Sequence, residues 1–176
     1  IFITGGSSSL NSVKKYKNSN FVCLAPTSVW FTKQYPKEKW VELCDQLPDN
    51  LAIYLLGAPA DFDACEEIKS KNIINLAGKL NFLESAALMK DAAMNYVNDS
   101  APMHMASAMN AKTTAIYCST VPAFGFGPLA DNAKIIETKL KLSCRPCGVH
   151  GHKACPEGHF KCAFSIETSE LLKQLS

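Results

Sequence analysis

The chain has 176 residues, enough for one domain with a real core, and 47% of them are hydrophobic against 19% charged, a globular balance. A formal net charge of +2 argues against nucleic acid as the main partner, because phosphate-dominated binding needs a dense basic face. No apolar stretch reaches the ~20 residues needed to span a bilayer, and no secretory signal is visible. Eight cysteines in a chain with this much core fit a reducing, cytoplasmic setting better than an exported disulfide scaffold.

The sequence begins at Ile1, already resembles the middle of a protein there, and reads as a piece of a longer chain. Ile1 to Thr4 reads as a short strand, and the Gly/Ser/Asn-rich stretch to Asn20, with its basic run Lys14, Lys15 and Lys17, as a linker or exposed loop. Phe21 to Ala25 reads as a buried strand ended by Pro26. Pro36 opens a helix whose apolar positions are Trp40, Val41, Leu43, Cys44 and Leu47. Leu51 to Leu56 is the next strand, Asp61 to Ser70 a helix, and Ile73 to Leu76 a third strand. Phe82 to Asp91 is helical, Met94 to Val97 a strand, and a helix starts near Pro102. Thr113 to Tyr117 and Lys134 to Glu137 are β-rich, and Thr168 to Leu175 is helical. Cys23, Cys44, Cys65 and Cys118 lie singly in these patterns and read as buried free thiols.

Alternating strands and helices predict an α/β fold: a Rossmann-like three-layer sandwich around a parallel sheet of about five or six strands. Right-handed crossovers place the loops that follow the strands on one edge, where such sheets bind ligands. Thr27 to Lys33, Gly57 to Asp61 and Asp99 to His104 would meet there. The stretch Asn98-Asp99-Ser100-Ala101-Pro102-Met103-His104 is the most informative. A strand running directly into a helix N-terminus offers unpaired backbone N–H groups to a phosphate or pyrophosphate. The competing structural reading is a capped helix with His104 as an ordinary first-turn residue. In the first loop, Ser28 or Thr32 could bond a phosphate oxygen and Lys33 could neutralise it. No Gly-rich dinucleotide fingerprint or Walker A sequence is present.

Ser28-Val29-Trp30-Phe31-Thr32-Lys33-Gln34-Tyr35-Pro36 with Trp40 resembles the donor-side loop of the family 9 glycosyltransferases, the ADP-heptose:lipopolysaccharide heptosyltransferases and their relatives. Asp99-Ser100-Ala101-Pro102-Met103-His104-Met105-Ala106 resembles their Asp-Ser/Thr-Gly-x-x-His-x-Ala segment. Leu83-Glu84 to Leu88 and the late cysteine loop fit as well, so that the likeness runs from about residue 21 to residue 166. The resemblance implies the C-terminal, donor-binding half of a GT-B fold. It implies a nucleotide-sugar-binding domain over 21–166 with a cysteine-rich loop 143–162, a preceding linker or remnant over 1–20, and a C-terminal helix over 167–176. That helix would pack toward the missing domain.

In this reading Lys33 contacts the donor pyrophosphate, with Ser28 beside the phosphate. Asp99, Ser100, Ala101, Met103 and His104 form the phosphate and sugar site, and Asp61 meets the nucleoside ribose. Asp99, being acidic, would hold the loop, orient a neighbour or bind a sugar hydroxyl. Two departures stand out: Ala101 replaces the family's Gly, and Pro102 removes a backbone N–H. The catalytic base is expected in the missing N-terminal acceptor domain, so this chain alone should be catalytically silent. The implied partners are a nucleotide-sugar donor, that domain and a lipid-linked glycan acceptor, with peripheral placement at the inner membrane face through the missing domain. No essential cofactor is implied, Mg²⁺ assisting at most.

Cys144, Cys147, Cys155 and Cys162 are separated by two, seven and six residues, with His150, His152 and His159 interleaved. Cys-x-x-Cys is half of a tetrahedral zinc site, but no second such pair follows; the balance falls on reduced thiols or a local disulfide. A redox Cys-x-x-Cys is a further alternative. Three function classes remain: the donor-binding half of a glycosyltransferase, probed by full-length activity; a non-catalytic nucleotide-binding module, probed by ADP binding without activity; and a zinc-ribbon interaction module, which would bind no nucleotide.

Overall fold

The computed structural model describes residues 7–175. Six strands, β1 (Phe21–Ala25), β2 (Ala52–Leu55), β3 (Ile73–Asn75), β4 (Met94–Asn98), β5 (Thr113–Tyr117) and β6 (Ala133–Glu137), form one sheet in the order β3-β2-β1-β4-β5-β6. Every neighbouring pair is parallel. The chain therefore builds outward from β1 to β3, returns to lay β4 against the other side of β1, and builds outward again. The carboxyl ends of β1 and β4 meet where the direction of winding reverses, the place where such sheets open a crevice.

The central strands are buried on both faces, as a covered parallel sheet requires. Alternation of side chains divides them between two cores. Val22 and Leu24 of β1 pack with Trp40 and Leu43 of α2 (Lys37–Gln46) and Leu171 of α7 (Thr168–Leu172). Phe21, Cys23 and Ala25 pack with Leu88 of α4 (Phe82–Met89) and Met103 of α5 (Ala101–Ala108). The result is the expected three-layer Rossmann-like sandwich. Pro36 stands at the N-cap of α2. At α4 the Asn81 side chain accepts from the Glu84 N–H and the Glu84 carboxylate from the Asn81 N–H, both at 2.9 Å, a reciprocal cap.

Two local readings change, that of the stretch up to Asn20 and that of the helix over Asp61 to Ser70. The strand expected over Ile1 to Thr4 lies outside the described residues. The stretch up to Asn20 is not simply exposed loop: α1 (Ser7–Ser12) packs along α4, Val13 is fully buried, and the Lys17 ammonium bonds the Ala87 carbonyl and the Asp91 carboxylate. The helix expected over Asp61 to Ser70 is a 3-10 turn (Pro59–Asp61) running into the short α3 (Phe62–Glu66). It stops because the polar run Lys69-Ser70-Lys71-Asn72 turns into β3, with Asn72 at φ 60°, a conformation asparagine tolerates well. The terminal helix α7 packs on its own domain: Leu171 is fully buried, α7 lies against α2, and the Tyr35 hydroxyl donates to the Ile166 carbonyl just before it. A further short helix, α6 (Lys161–Phe164), was not legible in the pattern.

Leu24 lies on the central strand and is fully buried. Leu24→Ala removes that side chain and leaves a cavity, so chemical denaturation is expected to show a loss of about 2–5 kcal/mol. A loss below that range would place the core elsewhere.

Candidate functional site

Because all strands run the same way, the loops after β1, β2, β4, β5 and β6 share one edge. The site forms where the first and third of these touch. After β1 the chain passes through Pro26 and Ser28 into a 3-10 turn, Phe31–Lys33. That loop is anchored by Asn98, the last residue of β4. The Asn98 carboxamide oxygen accepts from the Tyr35 N–H at 3.0 Å, and its nitrogen donates to the Pro26 carbonyl at 2.9 Å. The side chain is fully buried and joins the ends of the two crossover strands. Sequence reasoning quoted Asn98 in its motif and gave it no role.

The next residue carries the charge. Asp99 is buried, and its backbone N–H continues the ladder to the Ile116 carbonyl at 3.2 Å. Its carboxylate oxygen Oδ2 lies 2.7 Å from the Lys33 Nζ and accepts from the Thr120 hydroxyl at 2.7 Å. Lys33 and Asp99 are thus brought together as a largely desolvated ion pair, with side-chain exposures of 13% and 6%. Asp99 therefore faces Lys33 and Thr120 through one carboxylate oxygen. An ammonium has three N–H donors, so one contact to Asp99 leaves capacity for a second acceptor.

The remaining predicted residues are placed as follows. Ser100 is the N-cap of α5, half-buried, and its hydroxyl points back to the Asn98 carbonyl at 3.4 Å. Ala101 and His104 are exposed on the first turn. Lys33 and His104 therefore share the edge at the start of α5. Met103 is fully buried, its sulfur accepts the Tyr117 hydroxyl, and its N–H bonds the Ser100 carbonyl at 3.0 Å. With Pro102 lacking an N–H, the terminus offers fewer free donors than a strand-into-helix pattern implies. Ser28 is half-buried at the edge, and its carbonyl accepts from Gln34. Asp61 sits after β2 and accepts the Ala58 N–H at 2.7 Å, a local turn contact. Thr32 is not free for a ligand: it is buried, and its hydroxyl accepts from the His152 N–H and the Ser119 hydroxyl.

Cys144, Cys147 and Cys155 lie on a loop after β6 that returns to this edge, and Cys162 lies on α6. All eight cysteines are free thiols, and Cys23, Cys44, Cys65 and Cys118 are buried as expected. Burial pushes the Cys44 and Cys65 thiols up to about 12 and Cys162 to about 11, with Cys147, Cys155 and Cys144 adding to the last. Among the described residues no group of three or more His, Cys, Asp or Glu side chains is gathered to hold a metal ion. The zinc set Cys144, Cys147, Cys155 and Cys162 therefore gains no support from the structure. No described helix is long and apolar enough to cross a membrane.

Sheet order and crossover define a Rossmann-type α/β domain with a charged pair at the edge where the winding reverses. The model of glycosyltransferase family 9 (heptosyltransferase) matches residues 6–159, and the chain belongs to that family. It is 33% identical over 112 residues to lipooligosaccharide heptosyltransferase 2 of Haemophilus influenzae, covering 59% of this chain and 32% of that protein. It is 30% identical over 129 residues to the Campylobacter jejuni protein of the same name, covering 69% of this chain and 39% of the relative. The chain spans well under half the length of these curated relatives. The fold is shared with the solved ADP-heptose LPS heptosyltransferase II of Escherichia coli, at 23% identity and TM-score 0.76, over 99% of this chain and 51% of that one.

Removing one member of a buried ion pair strands the other. Asp99→Ala is expected to cost about 3–5 kcal/mol by chemical denaturation, and Lys33→Ala combined with it to cost less than the two single losses together. Strictly additive losses would show that the pair is not coupled. The thiols make a second prediction. Cys144, Cys147 and Cys155 are half-exposed whereas the others are buried. Iodoacetamide at pH 8 on the folded protein, read by peptide mass, should therefore label the loop thiols and spare Cys23, Cys44, Cys65 and Cys118. Early labelling of those four would contradict the packing.

Proposed function

We propose that this chain is the C-terminal, donor-binding half of an inverting GT-B glycosyltransferase that takes a nucleotide-diphosphate sugar, ADP-heptose in the first instance, in lipopolysaccharide core synthesis. One observation carries the reading: Lys33 is held by Asp99 beside the first turn of α5, at the crossover of a Rossmann-type sheet, in a chain of family 9. The names of the relatives, heptosyltransferases acting on lipooligosaccharide or lipopolysaccharide, support the substrate class. The acceptor, a lipid-linked glycan, would be held by an N-terminal domain of the parent protein, which would also supply the base and any peripheral placement at the inner membrane face.

In the reaction an acceptor hydroxyl attacks the anomeric carbon. A new glycosidic bond forms as the bond to the diphosphate oxygen breaks, the hydroxyl proton goes to the base, and the nucleoside diphosphate leaves. Negative charge grows on the leaving diphosphate. Fixed donors aimed at it stabilise the transition state more than the ground state. Lys33 supplies the cationic donor, and the Ser100 hydroxyl and free N–H groups of the first turn supply neutral ones. Ser28 lies beside the phosphates, and Asp61, after β2, meets the ribose. His104 faces the donor from the exposed side. The charge on Lys33 makes an essential metal unnecessary in this reading.

A second reading, a nucleotide-binding module without transfer activity, draws on Pro102 and on the Met103 N–H that is already bonded. Calorimetric titration of the chain with ADP is expected to show binding. Lys33→Ala should weaken it by about 1–3 kcal/mol, the range for a charge-assisted contact. Unchanged affinity removes Lys33 from the site, and no binding by the unaltered chain overturns the donor reading. Sugar transfer by the full-length protein, retained with chelator present, separates the enzyme from the silent module.

A further inference from the structure

We propose that the cysteine-rich loop is a clamp that positions Lys33 and Asp99, with Gly151, Thr32 and Arg145 as its positioning residues; the catalytic meaning of the clamp rests on the donor-site reading above. The loop grips the residue next to each member of the ion pair. On the lysine side, Thr32 is held on all its polar atoms. Its N–H donates to the His152 carbonyl at 3.1 Å, its hydroxyl accepts from the His152 N–H at 2.7 Å and from the Ser119 hydroxyl at 3.1 Å, and its carbonyl accepts from the Ser119 N–H at 3.2 Å. The loop closes this arrangement through the Cys147 N–H, which donates to the Ser119 carbonyl at 2.9 Å.

Gly151 is required there for two separate reasons. Its φ is +78°, a conformation side chains disfavour, and a Cβ would stand 2.8 Å from the Thr32 Oγ1, 3.3 Å from the Ser119 Oγ and 3.4 Å from the Lys33 Cγ. The loop backbone thus lies directly against Thr32 and the stem of Lys33. On the aspartate side, the Arg145 guanidinium donates to the carbonyls of Cys118 at 2.8 Å, Tyr117 at 3.2 Å and Thr120 at 2.8 Å, and meets the Glu137 carboxylate at 2.6 Å. Arg145 therefore fixes the backbone of Thr120, whose hydroxyl holds the Asp99 carboxylate. A planar fork with several donors spans those acceptors in a way a lysine cannot.

The test reads the pair without any ligand. In the ¹⁵N–¹H spectrum of the chain at mildly acidic pH, the Lys33 ammonium resonance is assigned by its absence in Lys33→Arg. Gly151→Ala and Thr32→Val are expected to shift or broaden it and to weaken ADP binding about tenfold, a loss of the size of one hydrogen bond. Thr32→Ser, which keeps the hydroxyl, should restore both. If Gly151→Ala does not fold, Arg145→Lys carries the same expectation. A Lys33 resonance like that of the unaltered chain in folded Thr32→Val and Arg145→Lys overturns the clamp. Failure of the unaltered chain to bind ADP tells against the donor site instead and leaves the resonance to judge the clamp by itself.

Discussion

A carboxylate and an ammonium, 2.7 Å apart and almost out of water, set the terms for the whole carboxyl edge. Stranding either member of such a pair is costly, and a fixed partner on the carboxylate offsets part of the cost of burying it. Thr120 is that partner for Asp99, and the position of Asp99 is itself taken from the sheet through its N–H on Ile116. The lysine arrives from a different loop, so that loop has to be pinned to the same frame. Asn98 does this, one residue before Asp99, by bonding the start and the end of the β1 loop together. Two adjacent residues at the end of one strand therefore fix both the charge and its counter-charge.

The parallel topology explains why the charged pair lies at this edge. Strands β1, β4 and β5 are buried along their whole length, so their faces belong to the two cores and only their ends are free. Loops that crowd a single edge, however, bury backbone groups that water would otherwise satisfy. Here the loops satisfy one another. Thr32 meets His152 and Ser119, Ser119 meets Cys147, and the carbonyls of Tyr117, Cys118 and Thr120, at and just after the end of β5, converge on Arg145. The cysteine loop is therefore part of the edge, and its sulfur atoms are less informative about its task than its backbone and its arginine.

Much of the fold was legible because it is written in local periodicity. The apolar runs of β1, β2, β4 and β5, the proline opening α2, and the face of α4 announce themselves within a few residues. The segment before Asn20 did not, because Gly, Ser and Asn dominate its composition while the buried Val13 is a single residue. The site was legible in part. Lys33 and Asp99 were singled out by a strand-to-helix junction, a loop and a family likeness, but neither spacing nor composition shows that they bond to each other. Thr120, Arg145 and the bonded state of Thr32 were illegible because their partners lie 21, 25 and 120 residues away in sequence. A contact of that range exists only after the sheet order is known.

The same geometry decides how charge is managed in the proposed reaction. The start of α5 is a weaker anion site than its sequence position suggests, since Pro102 brings no N–H and Met103 has bonded its own to Ser100. The main positive charge at the edge must then come from Lys33. Asp99 beside it lowers the net charge but also removes the freedom of a long side chain to swing into solvent. A fixed ammonium needs no reorganisation when charge develops on a leaving diphosphate, and this is where preorganised donors outperform water. The carboxylate thus contributes by holding its partner in place rather than by touching the developing charge. The fewer the backbone donors that α5 can supply, the more the site depends on the position of that one lysine.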